Sequence, residues 1–302
     1  MSEYKKAIWM MHIATFLFGF TAILGKLITL NEVNLVWYRM GIASLVFLTF
    51  PSLWKNIVKI PRKQIFIFLG NGAIVALHWL TFYGCIKLSD SSSLALACMG
   101  CAAAFTSILE PLFLKTKFQK RELGLGIVVL VGLYFISIAK EGESWSLESN
   151  YFVAFLVGIF SVFLAAIFSI VNKKYISNYH SISATWLQMA GGFLFISLLL
   201  PFITKSFDYN FTLALSKEDW IYMLLLAVLC TNLAFTLAIS SLKQISAYVS
   251  NLIINLEPIY GFLLAFIIFK EAELVSPYFL IGAGIITTSV FVYPIFKKNQ
   301  IF

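Results

Sequence analysis

Lys26, Arg39, His12, His78 and Glu257 lie inside long apolar stretches of a 302-residue sequence. An ionisable group at the centre of a lipid-embedded helix costs ~2.5–3.5 kcal/mol on insertion scales, so it needs a partner, a watery cavity or an escape to the interface. A cation so placed suits a carboxylate or phosphate. An imidazole titrates near neutrality and can bind a ligand or relay a proton. Glu257 precedes Pro258, which removes a backbone donor and bends a helix, so this carboxylate can brace the bend or exchange a proton. Each residue also has a plainer reading. Lys26 and Arg39 fall in the outer parts of their stretches, where long side chains snorkel to the surface, and a membrane histidine can simply pack.

Helical periodicity groups these residues with others. At ~100° per residue, His12, Thr15, Gly19, Ala22 and Lys26 form one small and polar stripe, which reads as a cavity wall or as a seam for close helix packing. Asn71, His78 and Cys85 share another face, with Trp79 and Tyr83 at its edge. Tyr248, Asn251 and Asn255 form a third, and the same arithmetic points Glu257 some ~160° away from Asn255. Trp186, Gln188 and Asn232 are weaker candidates. Cys98-x-x-Cys101 has redox or metal spacing but sits beside Gly100 and Ala102–Ala104, where small packing residues are expected. The sequence has no phosphate-binding Gly-Lys-Ser/Thr loop, zinc-binding His-Glu-x-x-His or nucleophile elbow. We therefore expect no catalytic residues, metal or cofactor, and a driving force from an ion gradient such as protons, a counter-substrate or passive release.

The elements that position these residues follow from composition. The chain is 60% hydrophobic and 12% charged, against roughly 25% charged in soluble domains, and its mean hydropathy is +0.90. This excludes cytosolic enzymes and secreted disulfide scaffolds. About 20 apolar residues cross a bilayer, and ten such runs occur, at about 7–30, 35–54, 65–86, 93–114, 123–139, 151–171, 182–204, 220–242, 245–269 and 275–296. The fold expected is an all-α polytopic membrane protein with ten transmembrane helices. Lys5 and Lys6 before the first run, with no cleavage signature behind it, read as a retained span. With the N-terminus cytoplasmic, fifteen Lys and Arg fall inside and five outside, so both termini are expected in the cytoplasm. The net charge of +8 is then explained by topology and anionic lipid, with no nucleic-acid partner.

The hydrophilic stretch 141–150 divides the chain into 1–140 and 151–302. Trp37-Tyr38-Arg39-Met40-Gly41 lies against Trp186-Leu187-Gln188-Met189-Ala190, each run soon ending at a proline, Pro51 or Pro201, and Gly124-x-Gly126 lies against Gly282-x-Gly284. Five spans per copy make the second copy enter the bilayer inverted, an arrangement that places a site near the midplane between the copies.

This plan resembles the drug/metabolite transporter superfamily, and its EamA-type permeases in particular, over nearly the whole chain. Phe18-Gly19-Phe20-Thr21-Ala22-Ile23-Leu24-Gly25-Lys26 is similar to the family's small-residue opening, and Asn255-Leu256-Glu257-Pro258 followed by Phe269-Lys270-Glu271 to its proline-centred helix ending in a glutamate. The first copy departs from the pattern: aligning Gly126 with Gly282 puts Ala102 opposite Pro258, while Glu110-Pro111 comes about two turns later. The resemblance implies an inner-membrane permease for a small organic metabolite, working by alternating access through a cavity lined by spans one, three, four, six, eight and nine. In that cavity Lys26 or Arg39 would bind a carboxylate or phosphate, Trp79, Tyr83 and Tyr248 would pack the apolar part, and Asn71, Asn251 and Asn255 would supply hydrogen bonds. A membrane-embedded enzyme acting on a lipid-linked substrate is the alternative; it would group nucleophile, base or metal ligands at one depth.

Overall fold

Capping and proline chemistry set the helix boundaries in the computed structural model, which describes residues 2–90, 92–138, 150–206, 210–269 and 277–298. Its helices are α1 (Glu3–Leu27), α2 (Glu32–Phe47), α3 (Pro51–Ile57), α4 (Arg62–Ser89), α5 (Ser92–Met99), α6 (Ala102–Leu114), α7 (Lys120–Ile138), α8 (Asn150–Tyr175), α9 (Ser181–Ser206), α10 (Lys217–Ala227), a π-helical turn (Val228–Leu233), α11 (Ala234–Ser241), α12 (Ala247–Ile254), α13 (Glu257–Phe269) and α14 (Pro277–Lys298). There is no strand among the described residues. Ser2, Asn31, Ser216 and Ser246 cap α1, α2, α10 and α12, their side chains accepting from backbone N–H groups in the first turn, which satisfies donors that a helix start leaves open. The expected linker 141–150 lies outside the described residues apart from Asn150, as do Lys270 and Glu271.

Among the described residues, five helical stretches are long and apolar enough to cross a membrane: Glu3–Leu27, Arg62–Ser89, Asn150–Tyr175, Ser181–Lys205 and Lys217–Ser241. The run expected at 35–54 does not continue straight. Pro51 starts a new helix, and α2 and α3 meet at 87°, a sixth span if the bent pair counts as one. The runs expected at 93–114 and 245–269 are each broken, between α5 and α6 at Gly100 and Cys101 and between α12 and α13 at Asn255 and Leu256. Pro258 is therefore the second residue of a new helix, where its missing N–H costs no hydrogen bond.

The chain is apolar outside as well as inside. Val58 is 82% exposed, Leu198 81%, and Trp9, Phe202 and Phe291 are over 60% exposed, a surface suited to lipid and not to water. Inside, α4 packs against α8 and α9, α1 against α11 and α13, and α7 against α14. Two carboxylates clasp the front of the chain to its back. Glu110 on α6 accepts from the Ala247 and Tyr248 N–H groups at 3.1 and 2.7 Å, supplementing the cap of α12. Asp219 on α10 accepts from the Thr29 N–H at 2.8 Å and its hydroxyl at 2.6 Å.

Candidate functional site

Arg39 is 1% exposed and is held on every side. Its Nε donates to Thr231 Oγ1 at 2.7 Å, Nη1 to the Tyr83 hydroxyl at 2.8 Å and Nη2 to the Cys230 carbonyl at 3.3 Å. The guanidinium carbon lies 3.6 Å from the centre of the Trp79 ring, a desolvated cation–π contact worth about 2 kcal/mol. Two of its three hydrogen-bond partners come from the π-turn. Thr231 donates its hydroxyl proton to Leu226 O, five residues back, at 2.8 Å, which leaves its oxygen to accept from Arg39. Asn232 of the same turn donates to Ala43 O at 3.2 Å, fastening α2 one turn beyond Arg39. Gly25 on α1 makes room for the third partner, because a Cβ there would overlap the Tyr83 ring.

A guanidinium has five N–H donors; three are used here, so two are left over. No carboxylate among the described residues comes within 4.0 Å of it. Instead Arg39 borders a small, partly open cavity. The walls are Phe18, Trp79, Phe82, Phe168 and Phe235, with Thr21, His78, Asn251 and Glu257 as the other polar residues. Glu257 is 4% exposed and makes no hydrogen bond or ion pair among the described residues. Cation and carboxylate thus face one small space without touching.

His78 is oriented by α8. Its Nδ1 lies 2.9 Å from the Ser161 carbonyl and 2.8 Å from the Ser161 hydroxyl oxygen, and that hydroxyl is also 2.8 Å from the His78 carbonyl, to which it donates. A carbonyl only accepts, so Nδ1 carries the proton, and in the neutral ring Nε2 keeps a lone pair. Asn251 joins three helices, donating from Nδ2 to Thr106 Oγ1 at 2.8 Å and to Ser169 Oγ at 3.1 Å.

The structure thus brings Arg39, His78, Trp79, Asn251 and Glu257 together, with Tyr83 behind Arg39. The other sequence candidates lie elsewhere. Lys26 is exposed in the last turn of α1, where a cation complements the helix dipole. His12 is half-buried beside Trp9 and stacked on Phe291. The stripe they share is a packing seam: a Cβ on Gly19 would sit 2.9 Å from the Tyr260 Cβ of α13, and α1 reaches the cavity through Phe18 and Thr21 instead. Asn71 donates to Gln188 Oε1 at 3.0 Å in a separate network. Tyr248 donates to the Glu122 carbonyl at 3.0 Å. With its amide orientation assigned from the surrounding acceptors, Asn255 donates across both helix breaks to Gly100 O at 3.1 Å. The ~160° separation between Asn255 and Glu257 assumed one continuous helix; the break between α12 and α13 cancels it and turns Glu257 into the cavity. Thr231, Ser161 and the four phenylalanines were not singled out in the sequence, although the polar pair Thr231-Asn232 within an apolar run is a readable signal. All four cysteines are free, and among the described residues no group of three or more His, Cys, Asp or Glu is arranged to hold a metal.

Comparison with known proteins agrees with this architecture. An uncharacterized transporter, YetK, of Bacillus subtilis (strain 168) is 27% identical over 266 residues, covering 86% of this chain and 78% of that protein. A chain of known crystal structure superposes with a TM-score of 0.77 at 12% identity, covering 98% of this chain and 99% of that one, which shows a shared fold. The EamA-like transporter family matches twice, at residues 5–138 and 152–293. The protein is a multi-pass membrane transporter of a small molecule and belongs to the EamA-like transporter family.

Proposed function

We propose that the chain is an inner-membrane secondary transporter that exports a small anionic or zwitterionic metabolite, such as an amino acid or related compound, by alternating access. The observation that carries this reading is Arg39: fixed by three hydrogen bonds, it keeps unused donors beside a cavity that also holds Glu257 and aromatic walls. Two aligned N–H donors on a guanidinium match the two oxygens of a carboxylate. The fixed position spares the side-chain ordering that binding would otherwise cost.

In this reading the ten apolar runs are ten spans, and residues 1–140 and 151–302 are two inverted five-helix repeats joined by 141–150, with both termini cytoplasmic. Several features support it. Interrupted helices at corresponding places of two halves are the signature of a midplane site, and α5–α6 and α12–α13 are both interrupted, meeting at Asn255 and Gly100. The Glu110 and Asp219 clasps tie the two halves together at separate places; in the expected topology these lie on opposite sides of the membrane, where rocking would open one at a time. Glu257 serves as the cavity's counter-charge and is available for proton exchange, so protons or a counter-substrate drive the cycle.

The test is uptake into proteoliposomes of a carboxylate-bearing solute chosen by metabolite profiling of cells with and without the protein. Wild type transports it and Arg39→Gln does not, while both elute as the same folded species. Equal rates would remove Arg39 from the site. Reporter tags on the two chain ends test the topology, and ends on opposite sides of the membrane would refute it.

A further inference from the structure

The corner formed by α2, α3 and the start of α4 carries a charged patch that the cavity does not use. α2 and α3 meet at 87°, so α3 runs along the membrane surface where α2 crosses the bilayer, and in the expected topology that surface is the cytoplasmic one. Residues 53–60 present three faces. Leu53 and Ile60 are buried in the protein core. Trp54 and Val58, one turn apart, are 57% and 82% exposed, and the Trp54 indole is held by donating to Leu48 O at 2.9 Å. Lys55 and Lys59 form the third face, and Arg62 and Lys63 follow in the first turn of α4; all four are exposed. These cations have no counter-charge of their own. The sequence has no Asp or Glu between Glu32 and Asp90, and none of the four makes an ion pair among the described residues. Lys59 donates to the neutral Asn56 Oδ1 at 3.1 Å. Arg62 and Lys63 stand where the α4 dipole disfavours cations, with no acid in that turn to offset them. Burial and the nearby charges of Lys243 and Lys59 hold His180, between α8 and α9, below the ordinary imidazole range, so Lys243 adds to the same cationic surface.

We infer that this corner binds the phosphate headgroup of an anionic phospholipid, with Lys55 and Lys59 of the α3 segment and Arg62 and Lys63 of α4 on the headgroup and Trp54, Val58 and Phe66 against the acyl chains. Lys and Arg beside a membrane surface attract anionic lipid, and a helix lying in the surface plane with an aromatic ring next to its lysines suits the boundary between headgroups and hydrocarbon. Phe66, one turn into α4 from Arg62, is 72% exposed, which sets the apolar level directly beside the cations. That juxtaposition favours a lipid over a soluble polyanion: a nucleic acid or an acidic protein would pair the cations and leave Trp54, Val58 and Phe66 facing water. A headgroup bridging α3 and α4 also fixes the C-terminal end of α2, the helix that carries Arg39. The site requires α2 to cross the membrane and is independent of which solute is carried.

The experiment titrates purified full-length protein in neutral detergent micelles with phosphatidylglycerol, phosphatidylcholine or inorganic phosphate and reads the melting temperature. Phosphatidylglycerol is expected to raise it, and the other two to leave it unchanged. The variant Lys55→Gln/Lys59→Gln/Arg62→Gln/Lys63→Gln should need at least about ten-fold more phosphatidylglycerol for half the effect. A control that removes four exposed cations between α6 and α7, Lys115→Gln/Lys117→Gln/Lys120→Gln/Arg121→Gln, should respond as wild type. Fluorescence gives a second reading that needs no change of charge: the part of the emission lost in Trp54→Phe should be quenched more strongly by brominated phosphatidylglycerol than by brominated phosphatidylcholine. Equal responses of the two four-fold variants overturn the site in favour of general charge attraction. A shift produced by inorganic phosphate, equal shifts with both lipids, or equal quenching by the two brominated lipids overturns anionic lipid binding at this corner.

Discussion

Arg39 and Gln188 occupy matching positions in the two Trp-led segments, and the networks around them differ in one physical respect. Gln188 is satisfied completely: Oε1 accepts from Asn71 at 3.0 Å and Asn172 at 3.1 Å, and Nε2 donates to Asn172 Oδ1 at 2.9 Å and Ala184 O at 3.2 Å. The acceptor left over there, Asn71 Oδ1, is buried and its residue does not line the cavity. Arg39 is charged, rigidly mounted and unsatisfied, and it borders empty space. A closed polar network fixes how helices pack, whereas a pre-positioned group with spare donors is suited to a ligand. Both reach from α2 or α9 across to another helix, yet one builds and the other binds.

The contrast is broken most sharply by converting one network into the other. Arg39→Gln removes two charge-assisted hydrogen bonds to substrate, each worth about 1.5–3 kcal/mol. It should lower uptake by roughly 100-fold or more, measured as initial rates in proteoliposomes. The reverse asymmetry is tested by Gln188→Leu. Taking their Gln188 partner from the Asn71 and Asn172 amides, of which Asn71 keeps its bond to Phe168 O, should destabilise the protein by about 2 kcal/mol, seen as a lower melting temperature in detergent, with the KM unchanged; a selective rise in KM would make Gln188 part of the site.

Two subtler substitutions sharpen the picture of how Arg39 is mounted. Thr231→Val removes the acceptor for Nε and frees the guanidinium to turn. The KM should rise by about ten-fold, one charge-assisted bond's worth, with little change in kcat, and Thr231→Ser should restore it. Gly25→Ala pushes on the Tyr83 ring, and overpacking of this kind costs about 1–3 kcal/mol when the neighbours cannot relax. The Tyr83 ring can tilt in part, so a KM rise of only about three-fold is expected, with wild-type protein yield.

The all-helical membrane class was legible in the sequence because an apolar run of span length has few other stable folds. Arg39, His78, Trp79 and Asn251 were legible because polar groups in apolar helices need a reason to be there. Periodicity failed where the helix itself stopped. Tyr248, Asn255 and Glu257 cannot be projected on one helical wheel across the break at Asn255 and Leu256. The kink at Pro51 was passed over for the opposite reason, since hydropathy continues to Trp54 while the backbone turns by 87°. The α1 stripe shows a third limit. Small residues at helical spacing mark where another helix comes close, and whether a helix or a cavity fills that space depends on a partner distant in sequence, here Tyr260 and Gly261 of α13. The π-turn was illegible because its extra residue per turn leaves no compositional trace.

The difference between the two networks is tested most directly by solvent access at single cysteines, in a background where Cys85, Cys98, Cys101 and Cys230 are replaced. Thr21→Cys, on the cavity wall, should react with a small membrane-impermeant thiol reagent and be protected by a transported solute. Ala184→Cys, one turn from Gln188 and fully buried, should stay unreacted with or without that solute. Equal labelling at both positions, or labelling at Ala184→Cys alone, would contradict a wet binding cavity at Arg39 set against a dry structural network at Gln188.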